Sequence, residues 1–214
     1  MKPGMKQRAP KGNRWADHYT RRAQKENYPA RSVYKLQQIQ TRYRILKKGQ
    51  RVLDLGCAPG SWLLYAAKLV GAAGQVTGID LKPLKGRFSS QVTVLQADVL
   101  ERGQAPWTTM KADFQVLLSD MAPATTGRRE VDATRSAQLA QAALEIAQSH
   151  LQDGGAFICK IFEGPEVNSY IQMVGDCFQQ VKRFRPAATR KASSELYIVA
   201  TGKHSLKQEN MDTF

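Results

Sequence analysis

A glycine-containing turn between a strand pattern and a helix pattern constrains this chain more than any other feature of its sequence. Residues 51–55 are rich in valine and leucine and predict a buried strand, and apolar residues recur at helical spacing from Ser61 onward. Gly56 and Gly60 therefore lie where a strand meets a helix. Glycine allows positive φ angles and close approach of a ligand, and the helix N-terminus offers unpaired N–H groups. The turn predicts an α/β domain with a ligand site at this junction.

The spacing of the two glycines indicates which ligand the turn suits. A dinucleotide-binding turn reads G-x-G-x-x-G, whereas here three residues, one of them proline, separate Gly56 from Gly60, and Asp54 precedes them on the strand. Neither feature suits a pyrophosphate. Asp80 follows a second strand pattern and can accept hydrogen bonds from both ribose hydroxyls, and Asp98 follows a third and can recognise the base. Three acidic residues around one pocket predict a nucleoside ligand that carries positive charge.

This pattern resembles that of the Rossmann-like methyltransferases that use S-adenosylmethionine, a cofactor with an adenosine, an ammonium and a sulfonium group. The resemblance implies an α/β fold, with a mostly parallel seven-stranded sheet and helices on both faces. It also implies S-adenosylmethionine as the cofactor. The residues expected to bind it are Asp54, Gly56, Gly60, Trp62, Asp80, Asp98 and Asp120.

The formal net charge of +14 is concentrated at one end of the chain. Residues 1–51 contain 15 Lys or Arg against two acidic residues, whereas the rest of the chain carries 17 against 16. We expect residues 1–30 to form a flexible basic arm that binds RNA, residues 31–203 the methyltransferase domain, and residues 204–214 a tail. A basic arm in a cytoplasmic protein usually binds phosphates. A mitochondrial presequence, also basic and poor in acids, is the alternative.

Several classes of protein find no support in the sequence. No run approaches the roughly 18 apolar residues of a membrane span, and the N-terminus lacks the apolar region of a signal peptide. These observations predict a cytoplasmic protein with no membrane partner. The three cysteines, Cys57, Cys159 and Cys177, include no C-x-x-C pair, and the three histidines are scattered. We expect reduced thiols and no metal.

The second half of the chain adds polar residues next to strand patterns. A buried strand over 114–119 leads into Asp120, and ligands of open α/β sheets bind at the carboxyl ends of strands. A helix is predicted from about residue 132 to 151, and a strand over 156–162 contains Lys160. A lysine in a buried strand must reach water, pair with an acid or lose its proton. Glu195 opens the last strand pattern, and Lys35 lies beside the apolar stripe of an early helix.

Lys35, Asp120, Lys160 and Glu195 match the order and contexts of the K-D-K-E tetrad in the FtsJ-type RNA ribose 2′-O-methyltransferases. The resemblance extends over about residues 14–203. The chain's size and short basic arm are most similar to the bacterial branch of that family, which modifies a uridine ribose in the A-loop of large-subunit ribosomal RNA. The resemblance implies a monomer whose partner is ribosomal RNA within the large subunit. Cys57 and Ser61 depart from the family pattern, where Ala and Gly are common, but both are small.

The resemblance also implies a role for each member of the tetrad. Lys160 would accept or steer the proton of the ribose 2′-hydroxyl, Asp120 would orient Lys160, and Glu195 would position Lys35 or the ribose. Which group is the base and which the orienter stays open. The residues expected to contact RNA phosphates are Arg128, Arg129, Arg190 and Lys191.

Two other functions are compatible with the same residues. The first is a 2′-O-methyltransferase that acts on transfer RNA or on a messenger RNA cap. The second is a noncatalytic RNA-binding factor in ribosome assembly, which an intact tetrad disfavours.

Overall fold

Seven strands form one sheet in the computed structural model, in the order β3-β2-β1-β4-β5-β7-β6. The model describes residues 14–84, 86–111 and 113–205, with only the backbone described for residues 14–17. The strands are β1 (Arg51–Leu55), β2 (Gln75–Asp80), β3 (Val92–Gln96), β4 (Phe114–Ser119), β5 (Leu151–Phe162), β6 (Phe178–Phe184) and β7 (Glu195–Lys203). The helices are α1 (Arg14–Lys25), α2 (Val33–Tyr43), α3 (Ser61–Val70), α4 (Arg129–His150) and α5 (Glu166–Cys177).

The first five strands are parallel, and β7 is antiparallel to both of its neighbours. Strands β1 and β4 are nearly continuous apolar runs because helices or loops cover both faces of the sheet. Successive side chains of β1 accordingly enter different cores. Leu53 packs with residues of α4 and α5 on one face, and Val52 packs with residues of α2 and α3 on the other. The predicted mostly parallel sheet is confirmed.

The boundary between α4 and β5 differs from the prediction. The helix runs from Arg129 to His150, and β5 begins at once with Leu151, whereas we expected a helix over about 132–151 and a strand from 156. Leu151 pairs with Phe114 of β4, and the register then shifts before Ala156 pairs with Val116. The glycines after Leu151 therefore form an irregularity within the strand, which local turn composition cannot distinguish from a loop.

Part of the predicted N-terminal arm is helical. Helix α1 lies inside the range of 1–30 that we expected to be flexible, and residues 1–13 lie outside the described residues. Tyr19 and Ala23 of α1 are buried with Tyr34 of α2, with the Tyr19 and Tyr34 rings 5.1 Å apart. This aromatic contact fixes α1 to the domain, so much of the basic charge is carried by folded helices. Among the described residues, no helix is long and apolar enough to cross a membrane.

Candidate active site

A cleft of about 530 Å³ lies at the carboxyl ends of the central strands. Its walls come from the turn after β1, the end of β2, the segment after β3 and the segment after β4. Residues of these four segments that line it include Gly56, Asp80, Asp98, Asp120 and Met121. The parallel strands bring these residues together because their carboxyl ends meet at one edge of the sheet.

Three of the acids expected to bind the cofactor lie at the cleft or next to it: Asp80 and Asp98 line it, and Asp54 is buried near Asp80 and Asp120. Asp80 accepts hydrogen bonds from the backbone N–H groups of Ala58 (2.9 Å) and Lys82 (2.8 Å), so it joins the glycine turn to the end of β2. Asp98 accepts from the N–H of Leu100 at 2.8 Å. Both are held by backbone groups and still face the cleft.

Asp54 is the third acid, and its surroundings are unusual. It is fully buried, and neither of its side-chain oxygens has a hydrogen-bond partner in the described part of the chain. Burial, and then the nearby charges of Asp120 and Asp80, raise the pKa of Asp54 well above its ordinary value. A carboxyl in this state favours a cationic or hydrogen-donating ligand beside it.

The rest of the cleft suits a flat apolar group. Leu81 and Leu100, with exposed fractions of 61% and 58%, both line it, and sequence patterns did not single them out. Gly56 has a φ of +72°, and a Cβ atom there would lie 2.6 Å from Cγ of Met121. Only glycine fits between β1 and Met121. The cleft therefore fits a ligand with an aromatic base, hydroxyl groups and a positive charge.

The predicted tetrad forms two ion pairs. Lys160 Nζ donates to the backbone carbonyl oxygen of Asp120 and to its Oδ1, the latter at 3.0 Å. Lys35 Nζ lies 2.6 Å from Oε1 of Glu195. All four side chains are largely buried, with exposed fractions from 6% to 16%. Asp120 also lines the cleft, so it connects the pairs to the ligand site.

Tyr197 joins this group, and the sequence prediction missed it. It is a direct neighbour of Lys160 in the β5–β7 register, and its hydroxyl donates to Oδ1 of Asp120 at 2.6 Å. Burial alone would raise the pKa of Asp120, but the ammonium groups of Lys160 and Lys35 and the hydrogen bond from Tyr197 outweigh it and lower that pKa. Asp120 is thus held as a carboxylate. The only signal in the sequence was the position of Tyr197, two residues after Glu195.

Trp62 and Gly60 have other roles than lining the cleft. The Trp62 side chain is buried beside Tyr197, with ring centroids 5.7 Å apart, and its Nε1 donates to the carbonyl oxygen of Ser32 at 2.9 Å. The indole thereby joins α3 to Ser32, which caps the start of α2, and the contact expected between Trp62 and the cofactor stays a prediction. Gly60, with a φ of +108°, caps the start of α3.

The four residues expected to contact RNA are exposed, in two separate segments. Arg128 and Arg129 stand at the start of α4, and Arg190 and Lys191 lie in the loop that precedes Glu195. Asp132 orders the first segment, because its carboxylate accepts from Thr126 N–H (2.8 Å), Thr126 Oγ1 (2.9 Å) and Gly127 N–H (3.2 Å). Within the described ranges, no group of three or more His, Cys, Asp or Glu side chains is placed to hold a metal.

Comparison with known proteins gives a consistent family match. The family model described as FtsJ-like methyltransferase matches residues 28–203. The ribosomal RNA large subunit methyltransferase E of Desulforapulum autotrophicum is 50% identical over 194 residues, which cover 91% of this chain and 96% of the relative. The protein of the same name from Desulfatibacillum aliphaticivorans is 48% identical over 199 residues, covering 93% of this chain and 96% of the relative.

Solved structures support the fold. The crystal structure of a ribosomal RNA methyltransferase from Plasmodium falciparum has a TM-score of 0.72 and 24% identity, covering 82% of this chain and 98% of that one. Fibrillarin from Aeropyrum pernix, solved with natively bound S-adenosylmethionine, has a TM-score of 0.54 and 17% identity. It covers 73% of this chain and 68% of its own. At these identities the likeness concerns the fold.

Proposed function

The chain belongs to the FtsJ-like methyltransferase family, and from this premise we propose that it methylates a ribose 2′-hydroxyl of large-subunit ribosomal RNA, with S-adenosylmethionine as methyl donor. We further propose a uridine of the A-loop as the target and Lys160 as the proton acceptor. The observation that carries the proposal is the pairing of Lys160 with Asp120 at the wall of the acidic cleft.

The cleft residues fit S-adenosylmethionine. Asp80 would accept from the ribose hydroxyls, Asp98 would receive the adenine amine, and Leu81 and Leu100 would cover the faces of the base. The unpaired carboxyl of Asp54 favours a positive charge nearby. When bound, the cofactor supplies a methyl group on a sulfonium, which is already activated for displacement and requires no metal.

Lys160 would accept the proton only after giving up one of its own to solvent, because an ammonium group has three donors and no acceptor. The resulting neutral amine has two N–H groups and one lone pair. The carbonyl oxygen and Oδ1 of Asp120 would take the two N–H groups, which leaves the lone pair for the proton of the ribose hydroxyl. Tyr197 donates to the same carboxylate from β7, which would hold Asp120 in the orientation that faces the amine.

The basic surface favours RNA as the acceptor. Residues 27–53 contain seven Lys or Arg and no acidic residue. Within the described ranges, no ion pair is formed by Arg42, Arg44, Lys47 or Lys48, and all four are exposed. Unpaired cations on a folded surface attract a polyanion through counterion release. Because the ribose must enter a partly buried site, a loop or an unstacked nucleotide is favoured over a duplex interior.

The same target would place the enzyme with cytoplasmic ribosomes. Every residue of the proposed site comes from one chain, so a monomer is sufficient.

The test is to incubate the protein with S-adenosylmethionine and map 2′-O-methylation by nucleotide. Three substrates are compared: free large-subunit ribosomal RNA, assembled large subunits and transfer RNA. We expect a single ribose of the ribosomal RNA A-loop to be modified. Methylation confined to transfer RNA would overturn the proposed target and keep the chemistry, and binding without methylation of any RNA would favour an assembly factor.

A further inference from the structure

We propose that Ser61 is a positioning residue that fixes Lys35 by attaching the segment before α2 to the helix that opens from the glycine turn. The proposal rests on the proposed function, since it concerns Lys35, one of the two lysines of the tetrad. It begins with the connector, defined here as residues 28–32, which links α1 to α2 and ends three residues before Lys35.

Two side chains at the start of α3 hold the backbone of the connector. The Ser61 hydroxyl accepts from the N–H of Ala30 at 2.7 Å and donates to the carbonyl oxygen of the same residue at 3.0 Å. Trp62 Nε1 donates to the carbonyl oxygen of Ser32 at 2.9 Å. Ser61 is 1% exposed, so water has little access to replace its hydroxyl. A single buried oxygen thus satisfies both backbone groups of one connector residue.

The other side of the connector faces the loop before Glu195. The Arg31 guanidinium donates to the carbonyl oxygen of Ala188 at 2.7 Å, and Gln38 Oε1 accepts from the N–H of Ala188 at 3.1 Å. Lys35 lies between Arg31 and Gln38 in the sequence, and its Nζ is 2.6 Å from Oε1 of Glu195. The connector and the start of α2 therefore lie between α3 and the loop that precedes Glu195. Their position determines where Lys35 lies.

Ser61 acts on this arrangement from outside the ligand cleft. It directly follows Gly60, which caps α3, but its side chain is bonded to Ala30 and does not line the cleft. Loss of the hydroxyl removes both contacts to Ala30 and leaves the cleft walls in place. A variant of Ser61 should therefore disturb Lys35 while the carboxylates that face the cofactor keep their positions.

Gln40, on the helix α2 that also carries Lys35, provides a matched control. Its side chain makes the same two-way contact with one residue, donating to the carbonyl oxygen of Leu46 (2.8 Å) and accepting from its N–H (2.9 Å). Gln40→Leu therefore removes an equivalent pair of side chain to backbone hydrogen bonds, at the end of α2 remote from the connector. Both variants should lower Tm, so a general loss of stability is common to the two.

The first experiment is hydrogen exchange on the full chain without RNA or cofactor. In Ser61→Ala the amides of residues 28–36 should exchange ~10-fold faster than in the wild type, and in Gln40→Leu they should be unchanged. Equal protection of residues 28–36 in Ser61→Ala and the wild type would overturn the proposal. This result does not depend on the reaction, so a chain that methylates no RNA would count against the proposed function alone.

The second experiment is a double-mutant cycle with Lys35→Met, measured as methyl transfer to RNA. Ser61→Ala should lower kcat ~10-fold with KM for S-adenosylmethionine unchanged, because small misplacements of an active-site group are costly. In the Lys35→Met background the same change should alter kcat less than ~2-fold. An equal loss in both backgrounds, or a raised KM for the cofactor with kcat unchanged, would show that Ser61 does not act through Lys35.

Discussion

Asp120 accepts hydrogen bonds from Lys160 at two oxygen atoms, its carbonyl oxygen and Oδ1. The Tyr197 hydroxyl also donates to Oδ1. At the scale of single residues, this arrangement separates two roles. In the proposed reaction Lys160 would accept the proton, whereas Asp120, whose pKa is lowered, would stay ionised and orient the amine.

Replacement of Lys160 by alanine should therefore remove the chemical step and leave cofactor binding intact. We expect a loss of about 10²–10⁴ in the single-turnover rate, the usual contribution of general base catalysis. Lys203→Met is the matched control, because Lys203 is another buried lysine, bonded to the carbonyl oxygen of Leu151 and outside the site. Rapid-quench assays and calorimetric titration with S-adenosylmethionine make the comparison. Near-normal turnover of Lys160→Ala would remove Lys160 from the proton transfer.

Asp54→Asn should stabilise the protein at neutral pH and weaken the cofactor site. The pKa of Asp54 is higher in the folded protein than in the unfolded chain, where it is about 3.9. As the pH rises above that value, Asp54 ionises more readily in the unfolded chain, and the folded state loses stability. Asparagine cannot ionise, so the gain should be present at pH 7 and absent at pH 4. We expect a higher Tm for Asp54→Asn than for the wild type at pH 7, by about 2–4 °C for each kcal/mol of stability gained.

Thermal unfolding at the two pH values measures this difference. Asp176→Asn, an exposed acid on α5, is the control and should show little change at either pH. A gain in Tm for Asp54→Asn that is as large at pH 4 as at pH 7 would assign the effect to packing and not to ionisation.

At the scale of elements, the segment before α4 depends on one acid of that helix. Asp132 accepts three hydrogen bonds from Thr126 and Gly127. These bonds lower the pKa of Asp132, and the bond from the Thr126 N–H contributes most. These bonds hold the segment that carries Arg128 beside the cleft. The geometry of the segment that we propose faces the RNA is thus set by the first turn of the helix that follows it.

Asp132→Ala should release this segment and raise KM for RNA severalfold, with the affinity for S-adenosylmethionine unchanged. Glu130→Ala removes the same charge from the same helical turn and serves as the control. Filter-binding and steady-state assays compare the two variants. Equal changes in both would mean that charge, and not loop geometry, is responsible.

At the scale of the whole molecule, the charge distribution predicts where RNA lies. The exposed basic residues after the start of α2 are part of the folded domain, and they continue from the helix that carries Lys35. An RNA whose target ribose reaches the tetrad can therefore place neighbouring phosphates along this surface.

Neutralising Arg42, Lys47 and Lys48 together, each to glutamine, should weaken RNA binding and flatten its salt dependence. A loss of up to three phosphate contacts lowers the slope of log K against log salt by about 2 to 3. The matched variant neutralises Lys68, Arg87 and Lys111, three exposed cations elsewhere on the domain. Affinity titrations at several salt concentrations measure the slopes. The same slope change in both variants would indicate a general charge effect and no defined RNA path.

Much of the fold was predictable because its signals are local. The strand patterns at 51–55 and 114–119 matched β1 and β4, since buried parallel strands are continuous apolar runs. The pattern at 92–96 also matched β3, whose side chains are partly buried or exposed. The start of β5 and the packing of α1 were not predicted. Each depends on a distant partner, Phe114 for β5 and Tyr34 for α1, and a local pattern carries no information about such a partner.

The sequence by itself determined the family, the sheet, and the order of Lys35, Asp120, Lys160 and Glu195, because residue type and spacing are sufficient to specify a motif. Only the tertiary structure decided which residues touch. It placed Tyr197 on Asp120, bonded the Trp62 indole to Ser32, and attached Ser61 to the connector before Lys35. These contacts join residues 30 to 77 positions apart, and only the order of strands in the sheet and the packing of helices on it bring them within hydrogen-bond distance.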